Sequence, residues 1–253
     1  MISTKAYPIR IIGTSHIAAE SIKLINKSYE SFQPDIVAIE LDNQRFKSLF
    51  SKSTDKQRSS FIYLVRTFGT VGALFLIIGQ FMQKKLGKIV NMTPGEDMKT
   101  AALLAQKNKK QLALIDIPIT KTIKNLSKQL TFKEKMRFVG EFLFFPFIFL
   151  YVGFMSLFPA YKKKQAKKQS KTSFSLQSVP SQDVITKLLI QLKKKYPTFY
   201  KVLIHDRNVY MAKQLVILHK KNPDKKIIVV LGAGHKKDVE KLISKFMNTI
   251  DLV

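Results

Sequence analysis

Four short runs of β-branched and aliphatic residues recur along the chain, at Ile9–Ile12, Ile36–Glu40, Leu112–Asp116 and Ile227–Leu231. Each is close to continuously apolar instead of alternating, the habit of strands covered on both faces, as in parallel sheets. Between them the apolar positions recur at helical spacing over Ala18–Tyr29, Asp97–Lys107, Ser181–Lys195 and Val209–Lys220. Strands separated by helices predict the α/β class: one domain over residues 1–253, with a mainly parallel central sheet flanked by helices.

Two stretches interrupt that pattern. Phe61–Met82 is largely apolar with Arg66 near its start, and Phe138–Phe158 is rich in Phe and broken by Glu141 and Pro146. We read residues 61–83 and 138–160 as hydrophobic helical insertions and residues 161–180, with their Lys run and Ser/Thr/Gln-rich end, as a basic linker. The uninterrupted apolar cores fall at or below the roughly 17–20 residues that a bilayer crossing needs. Topology weighs against crossing too. If both spanned, residues 83–137 and the strand Leu112–Asp116 would be separated by a bilayer from the sheet they belong to. The expectation is an inserted helical hairpin that packs on itself, dips into one leaflet, or joins a second copy through its Phe-rich segment. The Lys run beside it is placed to meet anionic headgroups, each cation worth about 1 kcal/mol near the surface. The plainer alternative is a pair of buried core helices with a solvated charge run. With no leader pattern at Met1–Arg10, the expected location is the cytoplasmic face of a membrane, or the soluble cytoplasm.

Charge adds a further bound. Lys and Arg number 44 against 17 Asp and Glu, a formal net charge of +27 over 253 residues. Such an excess suggests nucleic acid first, yet the arginines are few: Arg10, Arg45, Arg58, Arg66, Arg137 and Arg207. Bidentate recognition of bases and phosphates favours Arg, and no aromatic RNA-binding signature or zinc-finger spacing is present, so a nucleic-acid partner is not expected. There is no cysteine, which removes disulfides, thiolate nucleophiles and sulfur-held metals together. A metal would have to be held by His, Asp or Glu.

The candidate chemistry lies at the strand ends. Gly-x-x-His occurs near each end of the chain, as Gly13-Thr-Ser-His16 and Gly232-Ala-Gly-His235, each directly after a strand and before a helix. The other two strands end in carboxylates, Glu40 in Ile39-Glu-Leu-Asp42 and Asp116 in Leu114-Ile-Asp116. Ligands of open parallel sheets bind outside the carboxyl ends of the strands, so all four groups belong to one edge. Two imidazoles with a carboxylate suit a divalent cation such as Zn²⁺, Mn²⁺ or Co²⁺ with a position open to water. Without a metal, one His could act as general base with a carboxylate orienting it. Asp116 also reads as a simple turn residue. Glu96, in Thr93-Pro-Gly-Glu96, reads equally as the closing member of a capping box with Thr93 as N-cap. His205 and His219 are assigned to structure.

Taken in order, these blocks resemble the TraB/PrgY family, related to the TIKI peptidases and more distantly to erythromycin-esterase-like proteins. The resemblance rests on Gly13-Thr-Ser-His16 with Ser21, Pro34–Asp42 with Arg45, and Pro94–Met98 with Ala101-Ala102. It continues through Leu114–Asp116 with Thr122, Asp206–Met211 and Val230–His235. It implies a metal-dependent, peptidase-like hydrolase whose two Gly-x-x-His motifs and early glutamate fall on His16, Glu40 and His235. Asp206-Arg207 stands where the family pairs Glu-Arg with the site, and Ile117 where the family has Arg. The expected site is therefore His16, Glu40, His235, Arg45, Asp206 and Arg207, with Ser15, Glu96 and Asp116 as further candidates. His16, Glu40 and His235 would hold the metal. Its substrate would be a peptide or small molecule. The rival expectation, from the family's pheromone-shutdown relative, is a non-catalytic membrane-associated module that sequesters a peptide or small ligand in the same crevice.

Overall fold

The computed structural model describes residues 8–14, 19–51, 61–90, 95–141 and 182–250. Its sheet consists of β1 (Ile9–Thr14), β2 (Ile36–Ile39), β3 (Gln111–Leu114) and β4 (Ile227–Gly232), in the order β1-β4-β2-β3. All pairings are parallel, with Ile9 opposite Ile227, Ile36 opposite Ile227 on the other edge of β4, and Ile36 opposite Gln111. The helices are α1 (Ala19–Phe32), α2 (Asn43–Phe50), α3 (Phe61–Val90), α4 (Glu96–Lys107), α5 (Ile119–Gln129), α6 (132–141), α7 (Gln182–Lys195), α8 (Pro197–Tyr200), α9 (Asp206–Lys221) and α10 (Ala233–Ile250). A π turn, Lys201–His205, joins α8 to α9.

Period-two geometry explains why the strands read as unbroken apolar runs. Ile36, Ala38, Ile227, Val229 and Leu231 face Met211, Leu215 and Val216 of α9 and Val239, Ile243 and Met247 of α10. Val37, Ile39, Ile228 and Val230 face the opposite way, onto Ile25 and Tyr29 of α1 and Met98, Ala101, Ala102 and Ala105 of α4. With both faces covered, neither has a solvent side to be polar for, and each large aliphatic side chain so buried contributes about 1.5–3 kcal/mol.

This layering fixes where a ligand can bind. β1 and β4 are neighbours, but the helix after β1 lies on one face and the helix after β4 on the other. Such a reversal opens a crevice between the carboxyl ends of the two strands. β4 passes into its Gly-x-x-His there, and β1 ends there at Thr14, inside the other. Gly13 eases a close approach here: a Cβ at that position would stand 3.2 Å from Ala233 Cα, at the start of α10, a tight contact.

A second, smaller core lies off the sheet. Leu126 of α5 and Leu130 just after it, Phe199 of α8 and Val202 of the π turn are buried together, with Phe75 of α3, Phe138 of α6 and Leu192 and Tyr196 packed around them. Phe199 is the hub, its ring centroid 5.3–5.7 Å from those of Tyr196, Phe138 and Phe75. The first apolar insertion is thus helical, runs on to Val90 and is kinked at Gly69. The second is described only as far as residue 141, and the basic linker 161–180 lies outside the described residues. Among the described residues, no helix is long and apolar enough to cross a membrane.

Candidate functional site

Glu40 follows β2 directly, and its backbone N–H continues the ladder to Val230 O at 3.1 Å. Its side chain is buried at the strand end. Oε2 accepts from the Gly232 backbone N–H at 2.6 Å, so the turn after β4 fixes the carboxylate's orientation. The other oxygen, Oε1, stands 3.4 Å from His235 Nε2. On the far side of that imidazole, Nδ1 is 2.5 Å from Asn208 Oδ1. The Asn208 amide is itself oriented, since its Nδ2 donates to Asp238 Oδ2 at 3.4 Å. Nδ1 therefore donates to Asn208 Oδ1, which leaves Nε2 facing Glu40 and Arg207.

Arg207 is the cation of this edge. It is the second residue of α9, which follows the π turn directly, a helix irregularity that recurs at functional sites. Its Nη2 contacts Glu40 Oε1 and lies 2.6 Å from Asp116 Oδ2, its Nε donates to Asp116 Oδ1 at 3.1 Å, and its Nη1 lies 3.4 Å from His235 Nε2. Burial alone would lower its pKa, but the charges of Glu40 and Asp116 outweigh that and raise it, so the guanidinium stays charged.

Asp116, whose side chain is fully buried, bridges two arginines. Arg45 Nη2 meets the same Oδ2 that Arg207 uses, while Arg45 Nε donates to Asp42 Oδ2 at 2.7 Å. Asp42 in turn N-caps α2, accepting from the Gln44 and Arg45 N–H groups at 2.8 and 3.0 Å. Burial would raise the Asp42 pKa, yet the hydrogen bonds and charge of Arg45, with the Ile119 N–H, bring it below its ordinary value.

The expected residues separate cleanly. Glu40, Arg45, Asp116, Arg207 and His235 form one contiguous network across the ends of β2, β3 and β4. Asp116 also does what a turn residue does, accepting from the Ile117 N–H at 2.7 Å. Asp206 is instead paired with Lys201 Nζ at 3.1 Å on an exposed face. Glu96 is the half-buried first residue of α4, and Thr93, the other member of the expected capping box, lies outside the described residues. The N-cap is Gly95 at φ 91°, a left-handed conformation that starts the helix two residues later than a Thr93 cap would. Ser15 and His16 lie outside the described residues.

Sequence reasoning missed Asn208, Thr14 and Asp97. Asp97 is buried in the first turn of α4, and Thr14 Oγ1, at the end of β1, donates to its Oδ2 at 2.5 Å. The usable signal was position: Thr14 lies inside the first Gly-x-x-His, Asn208 next to Arg207, and Asp97 next to Glu96.

The donor chemistry allows a test of the implied metal. Two ligands of a tetrahedral cation, each about 2.1 Å from it, stand about 3.4 Å apart. Glu40 Oε1 and His235 Nε2 have that separation, and each is oriented through its other polar atom, as metal ligands commonly are. Glu40, Asp42 and Asp116 oppose Arg45 and Arg207, so the cluster retains negative charge that favours a cation. The pair fits. Among the described residues there is no group of three His, Asp or Glu arranged to hold a metal ion, so a third protein ligand has to come from elsewhere.

A covered parallel sheet with a charged network at its switch point defines an α/β protein of the class that binds ligands at the strand carboxyl ends. The lineage is more specific: the model of the TraB/PrgY/gumN family matches residues 2–248, and the chain belongs to that family. An uncharacterized protein of Methanocaldococcus jannaschii is 29% identical over 96% of this chain and 55% of its own length. A TraB domain-containing protein of Homo sapiens is 21% identical over 97% of this chain and 65% of its own, and its Mus musculus counterpart is 19% identical over the same shares. The chain therefore spans between about half and two thirds of the relatives it matches.

Proposed function

We propose that this edge is the active site of a metal-dependent hydrolase acting on a peptide bond or another amide or ester. The observation that carries the reading is the convergence of Glu40 Oε1, His235 Nε2 and the Arg207 guanidinium at the ends of β2 and β4. Glu40 and His235, with His16 from the other Gly-x-x-His turn, would hold a divalent cation such as Zn²⁺, Mn²⁺ or Co²⁺. When bound, such an ion supplies Lewis-acid polarisation of a carbonyl and lowers the pKa of water.

The chain's own groups supply the rest. Gly232 N–H and Asn208 hold the carboxylate and the imidazole in place, so neither must reorganise when substrate arrives. Arg207 lies beside both and is held charged, positioned to neutralise negative charge developing on a substrate oxygen. Arg45, partly exposed on the outer side of Asp116, is positioned for a substrate carboxylate. Asp116 sets the spacing between the two guanidiniums. The same reading seats the chain on an anionic membrane surface through Lys162–Lys171 and the Phe-rich segment before it.

Elemental analysis of the purified protein beside His16→Ala and His235→Ala variants, with circular dichroism to confirm folding, tests the assignment. The expected result is one divalent ion per chain in the wild type, lost in both variants together with cleavage of a peptide library. Saturable peptide binding that survives chelation and yields no product would replace the hydrolase with a sequestering module. Flotation with anionic liposomes tests the membrane claim: Lys162, Lys163 and Lys164 changed to Glu should lower the bound fraction, and equal partitioning removes the claim.

A further inference from the structure

A cavity of about 260 Å³ lies between α7 and the first turns of α10, lined by residues that, Asp238 apart, the network above does not use. Its apolar side comes from α7, where Leu189 is half-buried and Ile190 is 61% exposed. Its charged side carries Lys193 of α7 and Lys237 and Lys241 of α10, the last two one helical turn apart and all three exposed. Asp238 is the acidic group in the lining, and its Oδ2 already accepts from the Asn208 amide. The volume is below the roughly 300–1,000 Å³ of drug-sized sites, so the occupant is a small molecule or one end of a longer one.

These features select a ligand by chemistry. Three ammonium groups against one engaged carboxylate favour an anion at the mouth. Lysines are point charges without the planar fork of arginine, so they set charge and not a bidentate geometry. The exposed Ile190 and the Leu189 wall gain by covering with hydrocarbon, which inorganic phosphate cannot provide. We propose that this cavity binds a small carboxylate carrying an apolar chain, the chemistry shared by the C-terminal apolar residue of a peptide and by a short fatty acid. The site also touches the network: Asn208 joins Asp238 of this lining to His235 Nδ1. Binding here needs no hydrolysis, so it stands or falls separately from the function proposed above.

The test is calorimetric titration of the full chain at low salt with octanoate, N-acetyl-leucyl-leucine, octylamine and inorganic phosphate. At least one carboxylate should bind saturably, and it should lose about tenfold or more in affinity both in the Lys237→Glu/Lys241→Glu double variant and at high salt. Preference for octanoate assigns the cavity to acyl chains, and preference for the dipeptide acid assigns it to peptide C-termini. A Leu189→Asp variant, at a half-buried position on the cavity wall, should also weaken the carboxylate. Binding of neither carboxylate, equal binding of octylamine or phosphate, or affinity indifferent to reversal of the two lysines would overturn the proposal.

Discussion

The sheet and the helical annex around Phe199 are held by different means, and the network of charged groups lies where they meet. The sheet core is aliphatic and covered on both faces, built from strands that pair along their whole length. The annex has no strand. It packs rings from α3, α6 and the α7–α8 junction on Phe199 of α8 and ties them with polar caps: Glu134, buried in α6, accepts from the Thr131 N–H and hydroxyl through Oε2 and from the Thr198 N–H at 2.9 Å through Oε1. Glu40, Asp116 and His235 belong to the sheet half. Arg207 comes from the seam: Val202 of the π turn is in the annex core, and Leu203 O accepts from Arg207 Nη1 at 3.2 Å. The anionic side of the site therefore belongs to the sheet, while Arg207 is placed from the seam between sheet and annex.

The largest effect should come from breaking the charge bridge itself. Asp116→Ala leaves two guanidiniums without the carboxylate between them, and losing one partner of a buried ion pair costs about 3–5 kcal/mol. Urea unfolding should show that loss, while Asp116→Leu paired with Arg207→Met should recover part of it. An Asp116→Ala protein as stable as wild type would mean the bridge adds nothing.

Phe199→Ala comes next and separates the two regions. Removing a buried Phe costs about 3–5 kcal/mol at a well-packed site, toward the lower end where neighbours can collapse, as rings on one hub can. Hydrogen exchange should speed up in α5, α8 and the π turn while β2 and β4 keep their protection. Uniform loss of protection would show one cooperative unit instead of two.

How far the molecule could be read from its residues follows the same division. The strand runs and the helices covering them were legible because two-sided burial leaves a continuous apolar signature; the observed strands differ from the expected ones by at most two residues at any end. Glu40 and Asp116 were legible as strand-end carboxylates for the same reason. In the annex, α3 and α7 were legible from their apolar positions, but α5, α6 and α8 were not, since they are short and depend on partners distant in sequence. Capping shows the difference most plainly. Thr-x-x-Glu occurs at Thr93–Glu96 and at Thr131–Glu134; the first looks stronger, with Pro inside it, yet the reciprocal bonds form at the second, where Glu134 N–H also donates to Thr131 Oγ1 at 3.2 Å. Gly95 at positive φ decides against the first. Asn208 was missed because its role depends on a histidine 27 residues away.

Glu134→Gln therefore probes the annex's polar tie at a smaller scale. The amide keeps one acceptor oxygen but puts an NH₂ group against either the Thr131 or the Thr198 donor. The expected cost is about 1–3 kcal/mol, read from urea midpoints. Tryptic cutting at Lys133 and Lys135 should accelerate in the variant without new cuts near β4.

Acid should act on both regions with the same sign and modest size. The Asp42 carboxyl is pushed up by burial but held below its ordinary value by Arg45 and the Ile119 N–H; Glu134 is likewise pushed up by burial and brought down by its bonds to Thr198 and Thr131. A carboxylate whose folded pKa is depressed adds stability that is fully present above its unfolded pKa, about 3.9 for Asp and 4.3 for Glu. That contribution is lost as pH falls through the folded value. Urea stability measured at pH 7, 5, 4 and 3 should therefore show the gap between wild type and Asp42→Asn constant from pH 7 to about 5 and shrinking below about 4. The gap for Glu134→Gln should begin to close slightly higher, in line with the higher unfolded pKa of Glu. If the Asp42 gap were unchanged down to pH 3, the bonds from Arg45 would not be what lowers that carboxyl, and the sheet edge would owe its order to packing alone.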